Sequence, residues 1–121
     1  HADTLCGLMR DAQKASYGDG LDEATLHPYM WVCKGHYYGP TFYNFPYAFG
    51  GLFARGLYAQ YEKEGAAFVP KYKKLLKATT VACAEDVAKV ADIDLTDKDF
   101  WRGALEMIAR QIDLFCDLVK E

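Results

Sequence analysis

Three histidines, four cysteines and nine tyrosines are the residues of this chain whose types carry chemistry most readily. An imidazole near neutral pH serves as acid, base or metal ligand. A thiolate is a nucleophile, and a phenol is a hydrogen-bond donor and acceptor. None of these residues stands in a familiar catalytic pattern. HExxH, GxSxG, GxGxxG and the P-loop are absent from the sequence. No serine or cysteine lies next to a histidine with an acidic partner. Cys6, Cys33, Cys83 and Cys116 form no CxxC or CxxxxC pair, so their spacing gives no structural zinc site. His1 is terminal, which leaves too few histidines for a His-rich catalytic metal site within the chain. Asp19, Asp22 and Glu23 lack the spacing of a calcium loop and read as caps and turns. The chain by itself is therefore expected to bind no metal.

The tyrosines are informative through their distribution. Twelve of the 18 phenylalanine, tyrosine and tryptophan residues fall between positions 24 and 61, among them seven tyrosines. That stretch carries only two charges, Lys34 and Arg55, together with His27, His36 and five glycines. So few charges predict burial, either within the chain's own fold or against something else. A packed core accounts for such a run. A pure core would favour Leu, Ile and Phe, however, and a buried phenol needs a hydrogen-bond partner. The tyrosines thus also fit a polar-lined groove for a peptide. His36 keeps both a structural and a functional reading. His27, before Pro28, is expected to fix its turn by a ring-to-backbone hydrogen bond.

The elements that must position these side chains read almost entirely as helix. Residues 3–16 follow a 3.6-residue apolar period through Leu5, Leu8, Met9 and Ala12. Gly18-Asp19-Gly20 is a turn, and Asp22 caps a short helical turn. Residues 29–32 suit a short strand but are too isolated for a sheet, and Gly35, Gly39 and Pro40 break the chain, leaving His36 in a loop. A long helix is predicted over 44–64, with Pro46 in its first turn and Gly65 at its C′ position. Its two apolar rows suggest a central helix. Gly50 and Gly51 within it suggest close approach by another backbone or a ligand. Residues 66–78 form a helix with Phe68, Tyr72, Leu75 and Leu76 inward and Lys71, Lys73, Lys74 and Lys77 on a solvated face. A short helix spans 83–91, with Val87 and Val90 on one side. Thr96 and Asp99 resemble a capping box opening a last helix to about Lys120. That helix carries a stripe of Trp101, Leu105, Ile108, Ile112 and Phe115, with Cys116 as a small buried hydrophobe. The fold class is all-α, a multi-helix array of about five to six helices, in a single helical domain over residues 1–121.

Composition narrows the function classes. The chain is 51% hydrophobic and 26% charged, with net charge −3, which describes a folded globular chain. No basic excess is present to neutralise phosphates, so nucleic acid is not expected as a partner. No apolar run reaches the ~18 residues of a membrane span. Cysteine usage suggests free thiols and a reducing, cytoplasmic compartment. A chain that opens His1-Ala2-Asp3, without an initiator Met or signal-peptide pattern, reads as a processed or truncated product.

Several segments carry a resemblance. They are Gly18-Asp19-Gly20-Leu21, His27-Pro28-Tyr29-Met30-Trp31, His36-Tyr37-Tyr38 and, above all, FYNFPYAFG over 42–50. Together with Leu52-Phe53-Ala54, Gly56-Leu57-Tyr58, Ile93-Asp94-Leu95-Thr96 and Asp99-Phe100-Trp101, they resemble the C-terminal part of oligoendopeptidase F. That family belongs to the thimet-oligopeptidase-like zinc metallopeptidases. The resemblance implies the C-terminal helical part of a zincin-type peptidase domain acting on short peptides. It implies zinc in the parent enzyme, with the HExxH ligands and general base upstream of this chain. It implies an oligopeptide substrate and the missing N-terminal part of the same enzyme as partners. Alone, the chain would be inactive and prone to self-association. By position, His36 matches the family's substrate-facing histidine, and Tyr43 and Tyr47 match its first two tyrosines. Gly50 stands where relatives place a third. The resemblance thus implies Tyr43, Tyr47 and His36 as catalytic residues, with His36, Tyr37, Tyr38 and Gly39 binding substrate. The alternative is a stand-alone helical module that binds a peptide or protein through its aromatic groove.

Overall fold

The structure, a computed structural model, describes residues 1–39 and 42–120. The predicted break at Pro40 lies outside the described residues. The described residues are helical, with no strand among them. They form α1 (Ala2–Tyr17), α2 (Met30–Cys33), α3 (Gly35–Tyr38), α4 (Phe45–Glu64), α5 (Phe68–Ala78), α6 (Ala84–Lys89) and α7 (Lys98–Leu118). Short 3-10 turns occupy Glu23–Thr25 and Gly65–Ala67. The all-α class is as expected, with two of the helices only four residues long. The chain divides into two compact units, His1–Pro46 and Tyr47–Glu121.

In the first unit, α1 stops at Gly18, whose φ of 55° is open to glycine and whose N–H donates to the Lys14 carbonyl at 2.9 Å. Asp22 caps the following turn as predicted, its carboxylate accepting from the Ala24 N–H at 2.9 Å. The His27 Nδ1 accepts from the Tyr29 N–H at 3.2 Å, which is the expected ring-to-backbone bond. Residues 29–32 are not strand: Met30–Cys33 is the short helix α2. Gln13 ties α1 to this turn. Its amide donates to the His27 carbonyl at 3.0 Å and accepts from the His27 N–H at 3.3 Å. Gln13 is buried, so losing it strands both backbone groups. Gln13→Ala will destabilise this unit by about 1–3 kcal/mol, measured as a shift in its urea midpoint.

In the second unit, Leu57 of α4, Phe68 and Leu75 of α5, Val87 of α6, Ile93 of the α6–α7 connection and Phe100 of α7 form the core with Ala88 and Ala91. α4 ends at Gly65, whose φ of 62° suits the predicted C′ glycine. Lys71 is not simply solvated. Its ammonium pairs with Asp92 at 3.0 Å and Glu64 at 3.2 Å. These two carboxylates, Asp92 foremost, hold its pKa above the ordinary lysine value.

Several expected faces differ. The first helical residue of α7 is Lys98, capped by Asp97, whose carboxylate accepts from the Asp99 N–H at 2.9 Å. Thr96 is not the cap, because its N–H and hydroxyl both donate to Asp94 at 2.8 and 2.7 Å. The side of α7 that packs into the core carries Phe100, Ala104 and Met107. Leu105, Ile112 and Phe115 of the predicted stripe are exposed, and so are Cys116, Tyr72, Leu76 and Val90. α4 is not central: it buries only Gly56, Leu57 and Ala59. Its close approach is at Gly56, where a Cβ would lie 2.4 Å from the Phe100 ring. Gly50 has open space instead, and the nearest group to a Cβ at Gly51 is the Arg55 guanidinium at 3.5 Å.

Candidate functional site

The aromatic stretch is not buried by the chain itself. Phe42, Phe45, Tyr38 and Tyr47 are all more than 60% exposed. Of the two readings of its burial, packing within the chain's own fold is therefore not what occurs.

His36 sits in α3, not in a loop. Gly39 closes that helical turn, its N–H donating to the Gly35 carbonyl at 2.9 Å. The chain returns to α3 at Tyr43, whose N–H donates to the His36 carbonyl at 2.9 Å. Phe42 turns the backbone there with a φ of 56°. A bulky residue in this left-handed region is a strained outlier, of the kind that collects at ligand sites. His36 and Tyr43 consequently share the wall of an open concavity of about 550 Å3 with Cys33, Lys34 and Gly35. Lys34 is exposed and supplies a cation to this wall. Sequence reasoning counted Lys34 but gave it no role. Its being one of two charges in the aromatic stretch was the available signal.

Of the other candidate residues, Tyr37 is half-buried, with its ring 6.0 Å from Phe42 and 6.5 Å from Tyr38. The Tyr38 hydroxyl donates to the Trp31 carbonyl at 3.0 Å, so its oxygen retains acceptor capacity. Tyr47 belongs to the second unit, in the first turn of α4, with its ring 63% exposed. The structure therefore brings His36, Tyr43 and Lys34 together within one unit and places Tyr47 in the other.

Two further features bear on the chemistry. A concavity of about 420 Å3 in the second unit is lined by Leu57, Tyr58, Tyr61, Phe68 and Tyr72, among others. It has no histidine, cation or carboxylate on its wall, and the phenols of Tyr58, Tyr61 and Tyr72 are its polar side-chain groups. Among the described residues, no group of three or more His, Cys, Asp and Glu side chains could hold a metal ion. No described helix is long and apolar enough to cross a membrane.

Comparison with known proteins adds one relative. No family model matches the chain, and no solved structure matches it. Over 109 residues, 90% of its length, the chain is 30% identical to Oligopeptidase PepF of Bacillus subtilis (strain 168). It spans only 16% of that relative. The chain is thus similar, along nearly all of its own length, to one segment of a bacterial oligopeptidase.

Proposed function

We propose that this chain is the C-terminal, substrate-facing segment of a zinc metalloendopeptidase of the oligoendopeptidase F type, which hydrolyses short peptides. The observation that carries the reading is the match to Oligopeptidase PepF over 90% of this chain. The geometry is compatible with it. His36 and Tyr43, the positions singled out by the resemblance, line one concavity. Exposed aromatic rings stand ready to meet a peptide and the rest of the enzyme. The residues described here do not fit a zinc site. The metal ligands and the general base are therefore assigned to upstream sequence, and no step of this chain runs through the metal.

The work of this segment is to bind and to stabilise charge. Attack on a peptide carbonyl builds negative charge on its oxygen. A preorganised phenol aimed at that oxygen stabilises the transition state by about 2.7–4 kcal/mol. Tyr43, Tyr47 or both take this role. His36 orients the substrate backbone, with Tyr37 and Gly39 beside it. The Tyr38 oxygen, which donates its proton to Trp31, accepts from a substrate N–H. The parent enzyme works in the cytoplasm on oligopeptides, with neither nucleic acid nor membrane as a partner. Separated from the rest, the segment is inactive and self-associates through its uncovered aromatic surface.

The test is cleavage of a short peptide by the full-length polypeptide and by the 121-residue chain. Activity in the first, lost with a chelator, and none in the second is the expected result. A chain that cleaves peptides or binds stoichiometric zinc on its own overturns the assignment. Within the full-length polypeptide, His36→Ala will raise KM about tenfold and change kcat less, as expected for a residue that holds substrate before and during reaction. An unchanged KM removes His36 from the substrate site.

A further inference from the structure

Helix α7 carries far more apolar surface than its own unit covers. At 100° per residue, its apolar side chains sweep an arc of roughly 200°, about twice that of an ordinary surface helix. The charges of α7, Lys98, Asp99, Arg102, Glu106, Arg110, Asp113 and Asp117, share an arc of roughly 120° on the other side. One edge of the apolar arc, with Phe100, Ala104 and Met107, is buried in the core. The other is a row of Trp101, Leu105, Ile108, Ile112, Phe115 and Val119, spaced alternately by four and three residues. That is the spacing of a helix-pairing seam. Leu105, Ile112, Phe115 and Val119 on this seam are each more than 50% exposed.

We infer that the α7 seam is an interface for helices of the same longer polypeptide. This rests on the reading of the chain as a segment of a larger peptidase. The residues flanking the seam identify the occupant. A two-helix coiled coil open to water carries Glu and Lys at its flanking positions, which set partner and orientation. Past the first turn, where Arg102 stands, those positions hold Ala104, Ala109, Gln111, Cys116 and Leu118. Such neutral, small and apolar flanks suit the interior of a multi-helix array and not a water-exposed pair of identical helices. The relative that matches this chain has the length to supply that array, since the chain spans only 16% of it.

Cys116 flanks the seam and is exposed here, so it reports coverage directly. The experiment alkylates native thiols with iodoacetamide and maps Cys116 by mass spectrometry, in the 121-residue chain at low micromolar concentration and in the full-length polypeptide. The expected result is free reaction in the chain and at least about hundredfold slower reaction in the full-length polypeptide. Ile112→Arg will lower the Tm of the full-length polypeptide and leave that of the chain unchanged. Equal Cys116 rates in the two proteins overturn the inference. Protection in the chain alone, with a dimer by sedimentation, also overturns it by making a second copy the occupant. Peptide cleavage by the same full-length sample separates the two readings. Activity with an unprotected Cys116 sinks the seam alone. A protected Cys116 without activity supports the seam and sinks the peptidase.

Discussion

Tyr47→Phe and Tyr43→Phe, each made in the full-length polypeptide, will show at least one fall in kcat/KM of about tenfold to a thousandfold for a short peptide. The phenol of an oxyanion donor gains strength only as the carbonyl oxygen becomes charged. Its loss therefore lowers kcat and leaves KM nearly unchanged. A phenol that merely binds the ground-state peptide raises KM instead, so the split between the two constants identifies the donor. Stability does not confuse the result. Tyr47 is 63% exposed and Tyr43 47% exposed. Loss of a hydroxyl from rings so placed opens no cavity in the core, and the urea midpoint of each variant is measured beside its kinetics. If neither variant falls tenfold, the oxyanion role of this segment is wrong.

The sequence made the long helices legible because each carries many turns of one period. The predicted 44–64 became Phe45–Glu64, and Gly65 ended it by the conformation a C′ residue requires. Chemistry with a single local solution was also legible, as in the Asp22 cap and the His27 ring on the Tyr29 N–H. The four residues of α2 or α3 are too few to show a period, so strand and loop were equally natural for them. At Thr96 two side-chain solutions competed, and Asp94 took the threonine that the capping box needed. Periodicity also says that a face is apolar without saying what covers it. This is why the Leu105 and Phe115 stripe was expected in the core while Phe100 and Met107 occupy it. For the candidate site, the residue types were visible but their meeting was not. His36 and Tyr43 share a wall through a backbone bond that follows the left-handed Phe42. A phenylalanine gives no sequence signal for that conformation.

Two glycine-to-alanine changes on α4 will move stability in opposite directions. Gly50 and Gly56 lie in the same helix, so alanine offers each about the same gain in helix propensity, up to ~1 kcal/mol. At Gly50 the added methyl meets nothing within 4 Å, and that gain should appear as a higher urea midpoint. At Gly56 it would stand 2.4 and 2.6 Å from two carbons of the Phe100 ring. Phe100 cannot simply turn away. Its ring is packed 5.1 Å from Trp101 and 5.8 Å from Phe53, centroid to centroid, and Trp101 is in turn held by its indole N–H on the Leu95 carbonyl at 2.9 Å. Relief must come from α4 and α7 moving apart, which loosens the core around Leu57 and Phe68. Overpacking of this kind costs about 1–3 kcal/mol and outweighs the propensity gain. Gly56, which sequence reasoning gave no packing role, therefore sets the α4–α7 distance, while of the pair it singled out Gly50 faces open space and Gly51 lies under the Arg55 guanidinium. A Gly56→Ala midpoint at or above that of the wild type would refute the close contact of helix and ring.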